Sequence, residues 1–236
     1  MREIGSVGDK RGVAICPAVI GAPQIEIGRF VALAEEGGAD TIHLDVMDGS
    51  FVPTITFGQA CVAEVRRHTG LLVDVHLLVA NPEDHVKSFV AAGADVITVH
   101  VEACRNACGL LESIHRLGAN AGIALIPSTP ISAIEELVHY LDVMVVMTAN
   151  PGTSAFLPAT VTKIQRIRSL LDGSGRDFVP VTVDGGVKIE NVPELAGAGA
   201  RWFVSASGVF GGGAAEVASN IAALRVAAGS RVGTGR

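Results

Sequence analysis

A single α/β domain folded as a closed (β/α)8 barrel, the TIM-barrel architecture, is what this sequence predicts. Three observations carry that reading. Short β-branched runs alternate with longer Ala/Leu-rich segments along the whole chain. Such pairs recur eight times, at a spacing of roughly 25–30 residues. The length of 236 residues is close to the roughly 250 of a common barrel.

Strand one reads at residues 13–16. Strand two, at 41–46, follows Gly38, Ala39 and Asp40. A helical segment, Gln59–His68, leads to strand three at 72–77. Strand four, at 96–101, follows Gly93, Ala94 and Asp95. Strands five and six read at 121–125 and 143–148, with a helical segment over 160–171 behind them. Strand seven reads at 179–183, and strand eight, at 202–205, follows Gly199, Ala200 and Arg201. A glycine just past a helix takes the left-handed conformation that turns the chain into its next strand. No linker or low-complexity stretch falls between Gly12 and Ala227. One domain over residues 1–236 is therefore expected, with a core at about 13–225 and frayed ends, notably the Gly/Arg-rich residues 229–236. A doubly wound open sheet would alternate in the same way, but its glycine-rich fingerprint is missing after strand one.

Composition narrows the function. Hydrophobic residues make up 49% and aromatics 4%, so the core is built from Ala, Val, Ile and Leu. The net charge is −6 with no dense basic cluster, which argues against a nucleic-acid partner. No apolar run reaches the roughly 18 residues of a membrane helix. Residues 1–11 are polar, without a signal-peptide core. Four scattered cysteines suit a reducing, cytoplasmic setting. Cys104 and Cys108 lie near His100, but no second ligand pair with zinc-site spacing follows them.

The chemistry sits in polar residues on barrel strands, whose C-terminal ends form the active-site face of this fold. His43, Asp45 and Met47 are spaced by two, so they share one face of strand two. His43 and Asp45 are too polar for a dry core without partners. Asp74 and His76 share a face of strand three, and Asp184 stands at the tip of strand seven. The four groups His43, Asp45, His76 and Asp184 could each be satisfied separately. Their convergence on one barrel mouth favours a divalent-metal site, and zinc, iron, cobalt and manganese all accept such N/O ligands. His100 and Glu102, ending strand four, read either as groups behind that site or as a solvated strand end. His68, His85, His115 and His139 fall in helical segments and read as surface residues.

From about residue 13 to residue 223 these motifs resemble the ribulose-phosphate 3-epimerase family. The most specific stretch is His43-Leu-Asp-Val-Met-Asp-Gly-Ser-Phe-Val-Pro53. Asp74-Val-His-Leu-Leu78 with Asn81-Pro82, the segment Ile97 to Glu102, Asn150-Pro-Gly152 and Val183-Asp-Gly-Gly186 match as well. The resemblance implies a ribulose-phosphate-binding type of barrel and an isomerase acting on a small sugar phosphate. It implies one divalent cation, zinc before iron, cobalt or manganese, held by His43, Asp45, His76 and Asp184. Asp45 and Asp184 would also be the catalytic acid/base pair. Met47 and Met147 would be apolar walls against the substrate, and Gly152, Gly185, Gly186, Ala206 and Ser207 would bind it. A homo-oligomer is the expected assembly. Epimerisation at C3 of a ketose removes the proton beside the carbonyl from one face and returns one to the other, which two carboxylates can do.

Several positions depart from the family's pattern. Ala18 stands where the family has Ser, Ile126 where it has Asn, Leu78 where it has a third Met, and Ala206 where it has Gly. The family's Asn-Pro-Gly-Phe-Gly-Gly-Gln-Ser-Phe loop is here the shorter Asn150-Pro-Gly-Thr-Ser-Ala-Phe156. The chemical centre is kept while the substrate shell is altered. A 3-epimerase of ribulose 5-phosphate or a related ketose phosphate is the leading expectation. An epimerase of another or unphosphorylated ketose and a non-catalytic sugar-binding paralogue are its rivals. Decarboxylating relatives use an Asp-x-Lys-x-x-Asp motif, whereas Asp45-Val-Met-Asp48 has Met in the lysine position.

Overall fold

Parallel strands buried on both faces need near-continuous apolar runs, and eight segments of this chain supply them. The computed structural model describes residues 4–8 and 12–229. The readings made for the frayed tail at 230–236 and for residues 1–3 and 9–11 lie outside the described residues. The strands are β1 (Ala14–Pro17), β2 (Thr41–Met47), β3 (Leu72–Leu78), β4 (Val96–His100), β5 (Asn120–Leu125), β6 (Val143–Met147), β7 (Val181–Asp184) and β8 (Trp202–Ser205). They form one sheet in the order β1-β8-β7-β6-β5-β4-β3-β2, every neighbouring pair parallel. Between β1 and β2 the ring is closed by the Ala18–His43 bridge and by the Asp40 N–H donating to Ile15 O at 3.0 Å.

The helices are α1 (Ile27–Glu36), α2 (Gln59–His68), α3 (Val86–Ala91), α4 (Ala107–Arg116), α5 (Thr160–Gly173), α6 (Val192–Gly197), α7 (Ser207–Phe210) and α8 (Val217–Gly229). Two departures from a regular barrel stand out. Between β5 and β6 the chain makes only 3-10 turns, Ile131–Ala133 and Glu135–Tyr140. Pro127 and Pro130 there disfavour the helical conformation for the residues before them. After β8, Ser207 opens only the single turn α7. Gly211, Gly212 and Gly213, the last at φ +80°, break the chain before α8.

Alternation along each strand sorts the side chains into two layers. Ile42, Leu44 and Val46 of β2, with Val73, Val75 and Leu77 of β3 and Ile97 and Val99 of β4, point outward into the layer packed against the helices. Each fully buried aliphatic side chain there stabilises the fold by about 1.5–3 kcal/mol. The inward residues of the lower barrel, Ala14, Cys16, Val96, Val143, Val145 and Trp202, form a second apolar cluster, with Ile4 and Val7 packed against it. Trp202, silent in the sequence, is thus a filler of the barrel interior.

The Gly-Ala-Asp punctuation has a double purpose. Gly38, Gly93 and Gly199 sit at φ +87°, +107° and +110°, in the left-handed region. A Cβ at Gly93 or Gly199 would also come within 2.7 Å of Arg66 or 2.8 Å of Arg168. The aspartates of the first two motifs, with Asp142 before β6, then tie strands to their predecessors. Asp40 accepts the Ile15 N–H (2.7 Å), Asp95 the Val73 N–H (2.9 Å) and Asp142 the Ala121 N–H (2.9 Å). A basic group faces each one: Arg225, Arg66 and His115 respectively. These contacts hold the ring at the N-terminal ends of its strands.

Candidate metal centre and active site

The inward positions at the C-terminal ends of the strands are polar instead of apolar. His43, Asp45, His76, His100 and Asp184 are all buried there. The register explains their convergence, since β2 and β3 pair His43 beside Asp74 and Asp45 beside His76. Asp184, the last residue of β7, reaches the same point across β8 and β1.

His43, Asp45, His76 and Asp184 present one ligand atom each, all within 4.8 Å of one another. His43 Nε2 lies 3.3 Å from Asp45 Oδ1 and 3.9 Å from Asp184 Oδ2. His76 Nδ1 lies 3.1 Å from Asp184 Oδ2 and 3.4 Å from Asp45 Oδ1. Metal–ligand bonds of about 2.0–2.1 Å place the ligands of a tetrahedral site about 3.3 Å apart. Three of these four contacts, at 3.1–3.4 Å, stand near that spacing, and the fourth is wider at 3.9 Å. His43 Nε2 is fully buried without a well-formed hydrogen bond, a cost that a cation would remove. The donor set of two imidazoles and two carboxylates fits a divalent metal.

The electrostatics agree. Burial alone would keep the His43 imidazole neutral, but Asp74 and Asp45 outweigh it and hold its pKa well above the usual histidine value. His76 is likewise opposed by burial and raised by Asp184 and Asp45. Burial would raise Asp45, yet His43 and His76 hold its carboxyl well below the usual range.

Two residues outside the predicted set stand behind the ligands. Asp74 Oδ2 accepts from His43 Nδ1 at 2.8 Å, which leaves Nε2 aimed into the cluster. His100 Nε2 lies 2.9 Å from His76 Nε2, and its Nδ1 lies 3.3 Å from Glu102 Oε2. Of the two readings left open for His100, the solvated strand end is overturned, because its side chain is fully buried. Burial, opposed by Glu102 and Asp45 and aided by His76, brings its pKa down to about 4. The spacing of two from Asp74 to His76 was the available signal for Asp74. His68 and His139 are exposed and His85 and His115 partly so, as helical surface positions should be. Cys104 donates to His100 O and belongs to no ligand cluster among the described residues. Asp48, within the most specific motif, is a loop organiser. Its carboxylate accepts the N–H groups of Ser50, Phe51 and Ala80, tying the β2 loop to the β3 loop.

Above the cluster opens a cavity of about 260 Å³, small for a ligand site and suited to a small metabolite. Asp45 and Asp184, 6% and 8% exposed, reach its floor, whereas His43 and His76 lie wholly beneath it. Every predicted substrate position lines it: Met47, Met147, Gly152, Gly185, Gly186, Ala206 and Ser207. Ala18, Leu78, Thr153 and Ser154 line it too, so the shortened segment after β6 still covers this end. Ile126 is not among the lining residues. The segment lies directly on Gly186, where a Cβ would fall 2.6 Å from Ser154 O, and Gly186 itself sits at φ +67°.

Fold and site together define a (β/α)8 barrel whose mouth combines a divalent-metal ligand set with two solvent-reaching carboxylates. Residues 14–210 match the model of the ribulose-phosphate 3 epimerase family. The ribulose-phosphate 3-epimerase of Rhodobacter capsulatus is 39% identical over 223 residues, covering 92% of this chain and 96% of the relative. That of Escherichia coli is 38% identical over 200 residues, 83% of this chain and 88% of the relative. This chain belongs to the ribulose-phosphate 3-epimerase family. Among solved structures, a 3-hexulose-6-phosphate synthase superposes with TM-score 0.62 at 19% identity, covering 91% of this chain and 99% of that one. A Mycobacterium tuberculosis tryptophan synthase superposes at 0.67 with 15% identity, covering 92% of each chain, and both share the barrel fold. No helix among the described residues is long and apolar enough to cross a membrane.

Proposed function

We propose that the protein is a metal-dependent 3-epimerase that interconverts ribulose 5-phosphate and xylulose 5-phosphate. The observation that carries the proposal is the meeting of Asp45 and Asp184 at the floor of one cavity, both in contact with the same two imidazoles. Family membership supports the substrate class. Asp45 comes from β2 and Asp184 from β7, with β1 and β8 between them. The two carboxylates thus approach a substrate from different sides. One removes the C3 proton, and the other, protonated, delivers a proton to the opposite face.

His43, Asp45, His76 and Asp184 would hold the cation, with zinc the first candidate for a mixed N/O tetrahedral set. When bound, a divalent cation supplies Lewis-acid stabilisation of the oxyanion charge that develops in the enediolate. Asp74 keeps His43 aimed at that position. Met47, Leu78 and Met147 give the cavity an apolar wall that keeps water from the reacting carbon. At the far end, Gly185, Gly186, Ala206 and Ser207 bring backbone to the cavity surface, where backbone N–H groups serve a phosphate.

The test is incubation with ribulose 5-phosphate in D2O, followed at C3 by NMR. Deuterium incorporation with formation of xylulose 5-phosphate is the expected result. Bound metal without exchange would turn the search to other ketoses, free or phosphorylated. A cytoplasmic location belongs to the same proposal, because all four cysteines are free thiols, as a reducing compartment keeps them. Cell fractionation checks it. Self-association is proposed as well, motivated by the exposed Ile25 and Ile55, and sedimentation velocity reads it out.

A further inference from the structure

The two histidines of the ligand set are oriented by different means. His43 meets a carboxylate directly, through Asp74. His76 meets another imidazole. Its Nδ1 faces Asp184 and Asp45 at 3.1 and 3.4 Å, and its Nε2 lies 2.9 Å from His100 Nε2. The ring centroids are 4.9 Å apart, with 17° between their planes.

A hydrogen bond between two neutral imidazoles needs one N–H and one lone pair. If Nδ1 of His76 serves the cation with its lone pair, Nε2 must carry the proton. His100 Nε2 must then accept, which puts the His100 proton on Nδ1, the atom 3.3 Å from Glu102 Oε2. The Glu102 carboxylate is an acceptor on both oxygens, since Oε1 takes the Ile126 N–H at 2.9 Å. The loop that carries Ile126 is itself fixed, because Lys163 Nζ donates to the carbonyls of Ile126, Pro127 and Thr129 at 2.9, 2.7 and 2.6 Å. Phe51 closes the remaining side of His100, ring to ring at 4.8 Å.

We infer that His100 and Glu102 are positioning residues of the metal centre: they hold His76 in the tautomer that leaves Nδ1 free for the cation, and they tie that ligand to the loop after β5. This rests on the metal reading of the cluster. It also gives position 102 a reason to be a carboxylate, which accepts at both oxygens. A glutamine has one acceptor and one donor, and would set N–H against N–H toward either His100 or Ile126.

Two measurements test the inference. In zinc-loaded, 15N-labelled protein, long-range imidazole correlations should show His76 as the Nε2–H tautomer and His100 as the Nδ1–H tautomer. Titration with Co(II) alone, followed by its visible absorption, should show about 10–100-fold weaker binding and altered bands in His100→Phe and Glu102→Gln. His100→Gln, whose carbonyl can still accept from His76, should recover most of the affinity. The opposite tautomer at His100, or affinities within about twofold of the unmutated protein in both variants, overturns the inference. If the variants fail to fold, the tautomers of the unmutated protein decide. No Co(II) uptake by the unmutated protein would instead remove the metal reading itself.

Discussion

Asp45→Asn and Asp184→Asn are the sharpest probes of the site. Each removes one buried negative charge from contact with two imidazoles, at 3.3 and 3.4 Å for Asp45 and at 3.1 and 3.9 Å for Asp184. A charge pair at about 4 Å is worth about 4 kcal/mol at an effective dielectric near 20, or about three powers of ten. Loss of a positioned acid or base costs a further 10²–10⁴-fold or so. Epimerisation should therefore fall by at least about 10⁵-fold in each variant. The assay that separates proton carriage from metal loss is exchange at C3 in D2O, run on both epimers, with the metal content of each variant measured alongside. With one carboxylate left, a variant should exchange the C3 proton of one epimer only, and the two variants should choose opposite epimers. A variant that exchanges both epimers, or keeps turnover within about tenfold of the unmutated protein, would refute the two-carboxylate assignment.

Other outcomes follow from the same geometry. Dialysis against a chelator should abolish activity and lower Tm, and Zn(II) or Co(II) should restore both. A ligand at about a thousand times its Kd stabilises by about 4 kcal/mol, so an unchanged Tm would contradict a resident cation. Gly186→Ala should raise KM more than it lowers kcat, because its Cβ meets Ser154 O at 2.6 Å and must push the covering segment away. Ala18→Ser, which adds a hydroxyl to the cavity lining, should lower KM for ribulose 5-phosphate. Asp40→Ala should destabilise the fold by about 2–3 kcal/mol in urea unfolding without changing the metal content. It strips the Ile15 N–H and Arg225 of their shared acceptor, at 2.7 and 2.6 Å, far from the site.

The barrel was legible in the sequence because its signals are local. A β-branched run, a following helical period and a left-handed glycine each act within a few residues. The eight strand readings accordingly fall within about two residues of the observed ends. The ligand types were legible for another reason. A histidine and an aspartate two apart on an apolar strand cannot both be left dry, so His43, Asp45 and His76 announced a shared purpose before any contact was known.

What the sequence by itself determined was the order of the elements and the face of each strand on which the polar groups stand. Which groups meet was decided only by the closed ring. Asp184 is 108 residues from His76, and they touch because β7, β8, β1, β2 and β3 lie consecutively around the barrel. The pairing of His43 with Asp74, and of His76 with His100 and Glu102, depends on strand register, to which each strand's own pattern is blind. Alternation has a period of two and names a face. The shear of the closed barrel sets the height at which each face delivers its side chain, and the coordination geometry follows from that height.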